Sequence, residues 1–97
     1  MDTLLNQLKE QDLELYQEIV ADLLPSSDHR NNFIICGKLQ EAIRARGWYY
    51  SIWNTSPDST EVIIRRGGEG YINPDFMHIG EGKNEAEALL MAYLAAI

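Results

Sequence analysis

The chain has 97 residues, of which 45% are hydrophobic, and it carries a formal net charge of −7. This size and composition predict one domain with a packed core, and they exclude two separate domains and a disordered chain. The acidity opposes general binding to phosphate backbones, and the single cysteine, Cys36, excludes an intrachain disulfide and a thiolate metal cluster.

The start of the chain and its hydropathy indicate where the protein works. Residues 1–7 become polar within a few positions and lack a basic stretch, so they do not resemble a signal peptide. No apolar run approaches the roughly 20 residues that a membrane-spanning helix needs. The sequence therefore predicts a soluble cytoplasmic protein.

The first predicted element is an amphipathic helix over residues 3–24, capped by Asp2 or Thr3 and ended by Pro25. Residues 2–24 contain six acidic side chains and one lysine, so most of the net charge lies here. The apolar stripe must cover a sheet, another helix or a second copy of the chain; we expect the sheet, with a homodimer through this N-terminal helix as the alternative. The stripe consists of Leu4, Leu5, Leu8, Leu15, Tyr16, Ile19 and Leu23.

A second helix is predicted over residues 32–46 after a loop at residues 25–30. Asn31 or Asn32 would cap its start, and Gly47 would end it. Gly37 within this helix costs about 1 kcal/mol relative to alanine, which predicts close backbone packing at that position.

Three strands and a closing helix follow. Residues 48–53 and 61–65 predict a hairpin with a turn at residues 55–59, and a short third strand is expected at residues 76–79 after a glycine-rich turn. Asn84, with Glu87 three residues later, predicts the start of a helix that runs to Ile97. The element order is α-α-β-β-β-α, which gives the α+β class with a small three-stranded antiparallel sheet.

The hairpin carries large apolar side chains on both of its faces. Val62 and Ile64 share one face while Ile63 lies on the other, and the aromatic residues of the first strand divide in the same way. A half-solvated sheet normally alternates more cleanly. The pattern therefore predicts a sheet sandwiched by helices, with the rings of Tyr49 and Trp53 used in the core.

Two stretches of the chain resemble the phage ABA-sandwich domain family. One is the helix Asn32–Arg46 with its ending Glu-Ala-Ile-Arg-Ala-Arg-Gly-Trp at residues 41–48, and the other is the alanine- and leucine-rich helix at residues 85–97. The resemblance covers residues 28–97. It implies a small phage or prophage protein working in the host cytoplasm, in a family whose function is largely unassigned.

The α-β-β-β-α order also resembles that of double-stranded-RNA-binding domains, and residues 82–88 are similar to the start of their second helix. Those domains hold phosphates with a lysine cluster at this position. This chain has Lys83 alone, next to Glu81, Glu85 and Glu87. The sequence therefore predicts the topology without direct nucleic-acid binding.

No combination of side chains predicts catalysis, a metal or a cofactor. His29 and His78 lack a metal-binding spacing, and Cys36 lies in the apolar setting of a packing thiol. The glycine-rich segment 67–70 is typical of a turn, and nothing in the sequence brings Asp75 close to Glu81 as an acid–base pair. We interpret the chain as a non-enzymatic protein.

Two groups of residues are candidates for binding. Acidic side chains on the first and last helices predict a surface for a basic or neutral protein, such as a host defence or regulatory protein inhibited by a phage product. Arginines near aromatic residues predict a nucleotide-sequestering site instead; a virion assembly component is the third hypothesis. The acidic group is Glu10, Glu14, Glu18, Glu81, Glu85 and Glu87, and the second group is Arg44, Arg46, Tyr49, Trp53, Arg65 and Arg66.

Overall fold

The computed structural model describes residues 1–25 and 28–97. Four helices and a three-stranded antiparallel sheet make up its regular structure, in the order α-α-α-β-β-β-α, with two short 3₁₀ turns before the last strand. The elements are α1 (Asp2–Gln11), α2 (Leu13–Asp22), α3 (Asp28–Ala45), β1 (Tyr49–Ser56), β2 (Ser59–Arg65), β3 (Met77–Gly82) and α4 (Glu85–Ala96), with 3₁₀ turns at Gly68–Tyr71 and Pro74–Phe76. The predicted α+β class is confirmed.

The prediction of a single helix over residues 3–24 is wrong, because the helix is interrupted at Asp12. The Asp12 side chain accepts a hydrogen bond from the Leu15 backbone N–H at 3.2 Å, so it caps the start of α2. Aspartate favours the N-cap position over the interior of a helix, because its side chain accepts hydrogen bonds from nearby backbone N–H groups. The result is two 10-residue helices where one was expected.

Helix α3 begins at Asp28, four residues earlier than predicted. Asn31, one of the two expected caps, instead bonds both backbone groups of Leu24 through its side chain, at 2.8 and 2.6 Å. These bonds join the end of the α2 region to α3. Residues 28–30 of the predicted loop at residues 25–30 are thus helical, and Ser26 and Ser27 lie outside the described residues.

The end of α3 follows the prediction, whereas the prediction for Gly37 is wrong. Gly47 adopts a φ of +75°, the left-handed conformation that glycine accepts at a helix end. A side-chain carbon added at Gly37 would meet nothing within 4 Å, so no close packing explains that glycine. Among the glycines whose surroundings the structure describes, those that permit close packing are Gly80 and Gly82 on β3, where α4 lies against the strand.

The strands form a meander in the order β1-β2-β3, longer at several ends than the sequence indicated. The β1–β2 hairpin extends to Ser56 and Ser59, so its turn consists of Pro57 and Asp58. Helix α4 starts as predicted, because Asn84 Oδ1 accepts a hydrogen bond from the Glu87 N–H at 2.9 Å.

The helices form a core against one face of the sheet. Val62 and Ile64 on β2 are fully buried beneath α4, and α3 lies beside α4 at the β1 end. Helix α1 packs on α2 and α4 rather than on the sheet, so the expectation that its stripe covers the sheet is wrong. The core consists of Leu8, Leu15, Ile19, Ile35, Leu39, Ile43, Val62, Ile64, Ala86, Ala88, Leu89, Leu90, Ala92, Tyr93 and Ala96.

The other face of the sheet is left uncovered, which contradicts the expectation that helices shield both sides. Tyr49 is 53% exposed and Trp53 is 56% exposed, so these rings are not core residues. The side chains that close the core come from the face of β2 that carries Val62 and Ile64. A stripe of apolar side chains on a sheet can belong either to a core or to a recognition surface, and alternation alone does not distinguish the two.

Candidate binding surface

The strand register determines which side chains share the uncovered face. Across the sheet, Trp53 lies opposite Glu61, Ser51 opposite Ile63, and Tyr49 opposite Arg65. On β3 the same three rows continue with Glu81, Ile79 and Met77. We call this surface the open face; it consists of Tyr49, Ser51, Trp53, Glu61, Ile63, Arg65, Met77, Ile79 and Glu81.

The open face is apolar and aromatic at its centre and along the β1 edge. Ile79 is 52% exposed, close to the exposure of Tyr49 and Trp53, and Ile63 between them is partly buried. Large aromatic and aliphatic side chains held on a strand lose little rotamer freedom when a partner covers them. The arrangement has the composition of an interface core displayed on a rigid support.

One end of the open face is organised around Arg65. Its guanidinium lies over the Tyr71 ring at 4.6 Å, and that ring is tilted 50° against Tyr49 with 6.2 Å between centroids. Arg65 Nε is buried without a hydrogen-bond partner among the described residues. The Arg65 guanidinium and the rings of Tyr71 and Tyr49 thus pack together, so the guanidinium is only partly accessible to a ligand.

The opposite end of the open face carries two carboxylates. Glu61 and Glu81 lie directly opposite each other on β2 and β3. Ser59 Oγ donates a hydrogen bond to Glu81 Oε1 at 3.3 Å. Like charges in directly opposed positions destabilise a sheet by a few tenths of a kcal/mol, and a cation placed above them would remove that cost.

The six acidic residues predicted as a partner surface do not all lie together. Glu14 and Glu18 line a shallow groove beside Arg46 and Tyr93. Glu87 lines a different cleft, between α1, α3 and the start of α4, and Glu85 lies near Cys36. Glu10 is exposed on α1, and only Glu81 belongs to the open face.

The four arginines of the nucleotide hypothesis are dispersed as well. Arg44 Nη1 donates to the Tyr50 hydroxyl at 3.3 Å on the covered side of the sheet. Arg46 pairs with Asp12 at 3.7 Å and lies over the Trp48 and Tyr93 rings. Arg65 is therefore the one arginine of the group that shares a face with Tyr49 and Trp53.

Arg66 is engaged at the end of the sheet next to β3. Its Nε donates to His78 Nε2 at 3.0 Å, its Nη2 donates to the Asp75 carbonyl at 3.0 Å, and its guanidinium lies over the Phe76 ring. Burial, together with the Arg66 charge, lowers the pKa of His78, which agrees with a neutral imidazole accepting this hydrogen bond.

Cys36 lines a cleft of about 330 Å³ between α3 and the start of α4. Burial, with a smaller contribution from Glu85, raises the pKa of the Cys36 thiol to about 11. A thiol with such a pKa is almost wholly protonated near neutral pH and is a poor nucleophile. His29 and Phe33 line the same cleft.

The remaining candidate groups are separated in the fold. Among the side chains that the structure describes, no three from His, Cys, Asp or Glu are placed to hold a metal ion. Gly67 adopts a φ of +82° in the turn after β2, and Asp75 donates its backbone N–H to Asn73 in the second 3₁₀ turn. No helix of the described part is long and apolar enough to cross a membrane.

Sequence reasoning missed several members of the open face and the Tyr71 ring that lies beside it. It placed Glu61, Ile63 and Ile79 on strands but not in a site, and it left Tyr71 next to a turn. The signal that could have found the first three is the two-residue period of the strands, which places Ile63 with Tyr49 and Trp53. Tyr71 has no such signal, because it reaches the face from a 3₁₀ turn.

Comparison with known proteins adds no relative. No family model matches the sequence, and neither a curated protein nor a solved structure is significantly similar to it. The resemblance to the phage ABA-sandwich family therefore stays a prediction from residues 28–97.

Proposed function

We propose that this chain is a non-enzymatic binding protein that recognises a basic protein surface through the open face. The observation that carries the proposal is that Tyr49, Trp53 and Ile79 are each more than half exposed on one side of a sheet whose other side holds the core. Tryptophan and tyrosine are among the residues most enriched in the positions that dominate binding energy in protein interfaces. An open face built from them fits a partner that covers it.

Charge supports a basic partner over a phosphate-bearing one. Glu61 lies opposite Trp53 and Glu81 lies opposite Glu61, and Arg65 is the only cation among the residues of the open face. The chain carries a net charge of −7, so it repels polyanions and attracts basic proteins at a distance. Glu10, Glu14 and Glu18 on the first two helices would contribute to this attraction without contacting the partner.

The resemblance to a phage protein family suggests which class of protein the partner belongs to. If the resemblance over residues 28–97 holds, the partner is a host defence or regulatory protein, and the chain inhibits it by occupying a basic surface. The acidic charge of the chain then competes for a surface that would otherwise bind nucleic acid.

The test is affinity capture from lysate of the cell that makes the protein, followed by titration of the purified partner. We expect Trp53→Ala to weaken binding about 30-fold or more, because truncating an aromatic anchor of an interface typically costs about 2 kcal/mol or more. Leu13→Ala is the matched control, since Leu13 is 50% exposed but lies on α2, away from the sheet. Binding should also weaken as salt rises.

Three outcomes contradict the proposal. These are a captured partner whose affinity is unchanged by Trp53→Ala, one whose affinity falls with Leu13→Ala instead, and one whose binding does not depend on salt. Reversing Glu10, Glu14 and Glu18 to lysine should slow association while leaving dissociation nearly unchanged, because these residues act at long range.

A second candidate is the sequestering of a nucleotide by stacking its base on Tyr49 or Trp53. The specific observation in its favour is that Arg65 shares the face with both rings. The two nearby glutamates and the engagement of Arg65 with Tyr71 count against it. A panel of linear and cyclic nucleotides in thermal-shift assays separates the two: a rise in melting temperature that Trp53→Ala abolishes would favour the nucleotide.

A further inference from the structure

Strand β1 forms one edge of the sheet, and its outer side is free. The strand order is β1-β2-β3, so β1 bonds to β2 on one side only. Within residues 1–25 and 28–97, no backbone or side-chain hydrogen bond reaches the outward N–H and C=O groups of Tyr49–Ser56. A row of unpaired backbone groups is a template for another strand.

Over Tyr49–Trp53 this edge lacks the features with which proteins usually block strand pairing, and the register irregularity of β1 lies beyond these residues, between Asn54 and Ser56. The eight residues of β1, Tyr-Tyr-Ser-Ile-Trp-Asn-Thr-Ser, contain no charge and no proline, and five of them are aromatic or β-branched. The other edge, β3, has six residues that include Glu81 and two glycines, and Lys83 follows it. Charged residues, glycine and short length are what discourages pairing at an edge.

The sequence of β1 is also complementary to itself. Two antiparallel copies can meet only in registers that place side chains of the same face opposite each other. With Ser51 opposite Ser51 of a second copy, Tyr49 lies opposite Trp53 on the open face, and Tyr50 lies opposite Ile52 on the covered side. Aromatic pairs and aromatic–aliphatic pairs are among the cross-strand contacts that stabilise a sheet.

Charge around β1 permits two copies of an acidic chain to approach. Between Ala42 and Thr60 the charged residues are Arg44, Arg46 and Asp58, so two positive and one negative charge give +1, against −7 for the whole chain. The β1 edge is thus a region where the general acidity of the protein is absent. Like-charge repulsion between copies is correspondingly weaker there.

We propose that two copies of this chain associate through antiparallel pairing of their β1 strands, with the twofold axis at Ser51, to form a continuous six-stranded sheet. The open faces of the two copies then become one surface, in which Tyr49 of one copy lies beside Trp53 of the other. This inference does not depend on the identity of any partner, and it makes the open face twice as large.

Disulfide trapping tests the register. In a Cys36→Ala background, Ser51→Cys introduces the only thiol at the twofold axis, where the Cα atoms of an antiparallel pair lie about 4.5–5.5 Å apart, within reach of a disulfide. Ser56→Cys is the matched control, because the same change on the same strand leaves the two thiols about 30 Å apart in this register. We expect mild oxidation to give a covalent dimer with Ser51→Cys and a monomer with Ser56→Cys.

Sedimentation of the unmodified chain tests the association itself. We expect a reversible monomer–dimer equilibrium for the unmodified chain. Ser51→Lys should raise its dissociation constant at least about 10-fold, because this change places two ammonium groups opposite each other at the axis, and Ser56→Lys should change it little. The proposal is overturned if the chain stays monomeric at all concentrations up to about 1 mM, which corresponds to a binding free energy weaker than about 4 kcal/mol. Equal disulfide trapping of both cysteine variants overturns it as well. A dimer broken by Ile79→Lys but not by Ser51→Lys also overturns it, because that result indicates packing of the open faces instead.

Discussion

We predict that Asp12→Ala destabilises the fold, because Asp12 caps α2 and also contacts Tyr93 on α4 and Arg46 at the end of α3. Asp12 Oδ1 caps α2 through the Leu15 N–H, and replacing such a cap with alanine costs about 1 kcal/mol. Oδ2 accepts a hydrogen bond of 2.7 Å from the hydroxyl of Tyr93, a residue only 1% exposed. Leaving that buried hydroxyl unpaired costs about 1–3 kcal/mol.

The ion pair with Arg46 adds little, since the two charges are 3.7 Å apart and the arginine is 43% exposed. The sum is about 2–4 kcal/mol, which corresponds to a fall in melting temperature of at least about 8 °C for a domain of this size. Urea unfolding of Asp12→Ala, Tyr93→Phe and the double variant measures the coupling. Since Tyr93→Phe removes the hydroxyl, the cost of Asp12→Ala should shrink by about 1 kcal/mol or more in that background. Additive costs, or a loss below about 0.5 kcal/mol for Asp12→Ala, would refute the reasoning.

Three further predictions follow from glycine packing and from shifted pKa values. Gly80→Ala should lower the free energy of unfolding in urea by about 3 kcal/mol or more, because the added carbon would lie 2.9 Å from Ala92 Cβ and closer still to the α4 backbone. Gly37→Ala is the control and should be neutral or stabilising by up to about 1 kcal/mol, because nothing lies within 4 Å of the added carbon. Cys36 should react with iodoacetamide at pH 8 at least about 10-fold more slowly than a thiol with a pKa of 9, since a pKa of about 11 lowers the thiolate fraction about 100-fold and the higher basicity of the thiolate offsets only part of this; a rate near that of the reference thiol would contradict this. Burial, together with the Asp12 hydrogen bond, raises the pKa of Tyr93 to about 12. The neutral Tyr93 side chain therefore contributes up to about 3 kcal/mol to the free energy of unfolding below pH 10, and this contribution is lost between pH 10 and about 12. Urea midpoints measured across this pH range should show the loss in the unmodified chain and not in Tyr93→Phe.

Local signals in the sequence predicted the ends of the helices with mixed success. The predictions for Asn84 and Gly47 are correct, because a capping side chain and a left-handed glycine act within one turn of the chain. Asp12 was missed although it is also a capping residue. The apolar stripe continues across it from Leu8 to Leu15, so periodicity favoured one helix, and the hydrogen bond between Asp12 and Tyr93, 81 residues away, has no local signal in the sequence.

The positions of the close-packing glycines could not be predicted from composition. Gly37 lies inside a helix, where glycine is costly, so it attracted a packing explanation that the structure does not support. Gly80 and Gly82 lie in a short strand, where glycine looks like a weak strand signal. Their role depends on which face of β3 lies under α4, and that is a tertiary property.

The open face was the largest error of sequence reasoning and is the most informative feature of the fold. Apolar residues on both faces of the hairpin predicted helices on both sides, because a solvated face usually carries polar residues. The same pattern arises when one face is kept for contact with another molecule. The partial signals that favour the second interpretation are the charges of Glu61 and Arg65, which share a face of β2 with Ile63, and the absence of charge on β1.

The composition of the open face is difficult to explain by the stability of the single chain. Trp53 and Ile79 remain about half exposed, so neither contributes a full buried side chain to the core. The Glu61–Glu81 pair places two like charges in opposed positions, which weakens the sheet slightly. Threonine or lysine would serve at the exposed positions with better solubility and no loss of core packing. Contact with a second molecule would account for this surface, and we propose a basic partner over the glutamate end and a second copy along the uncharged β1 edge.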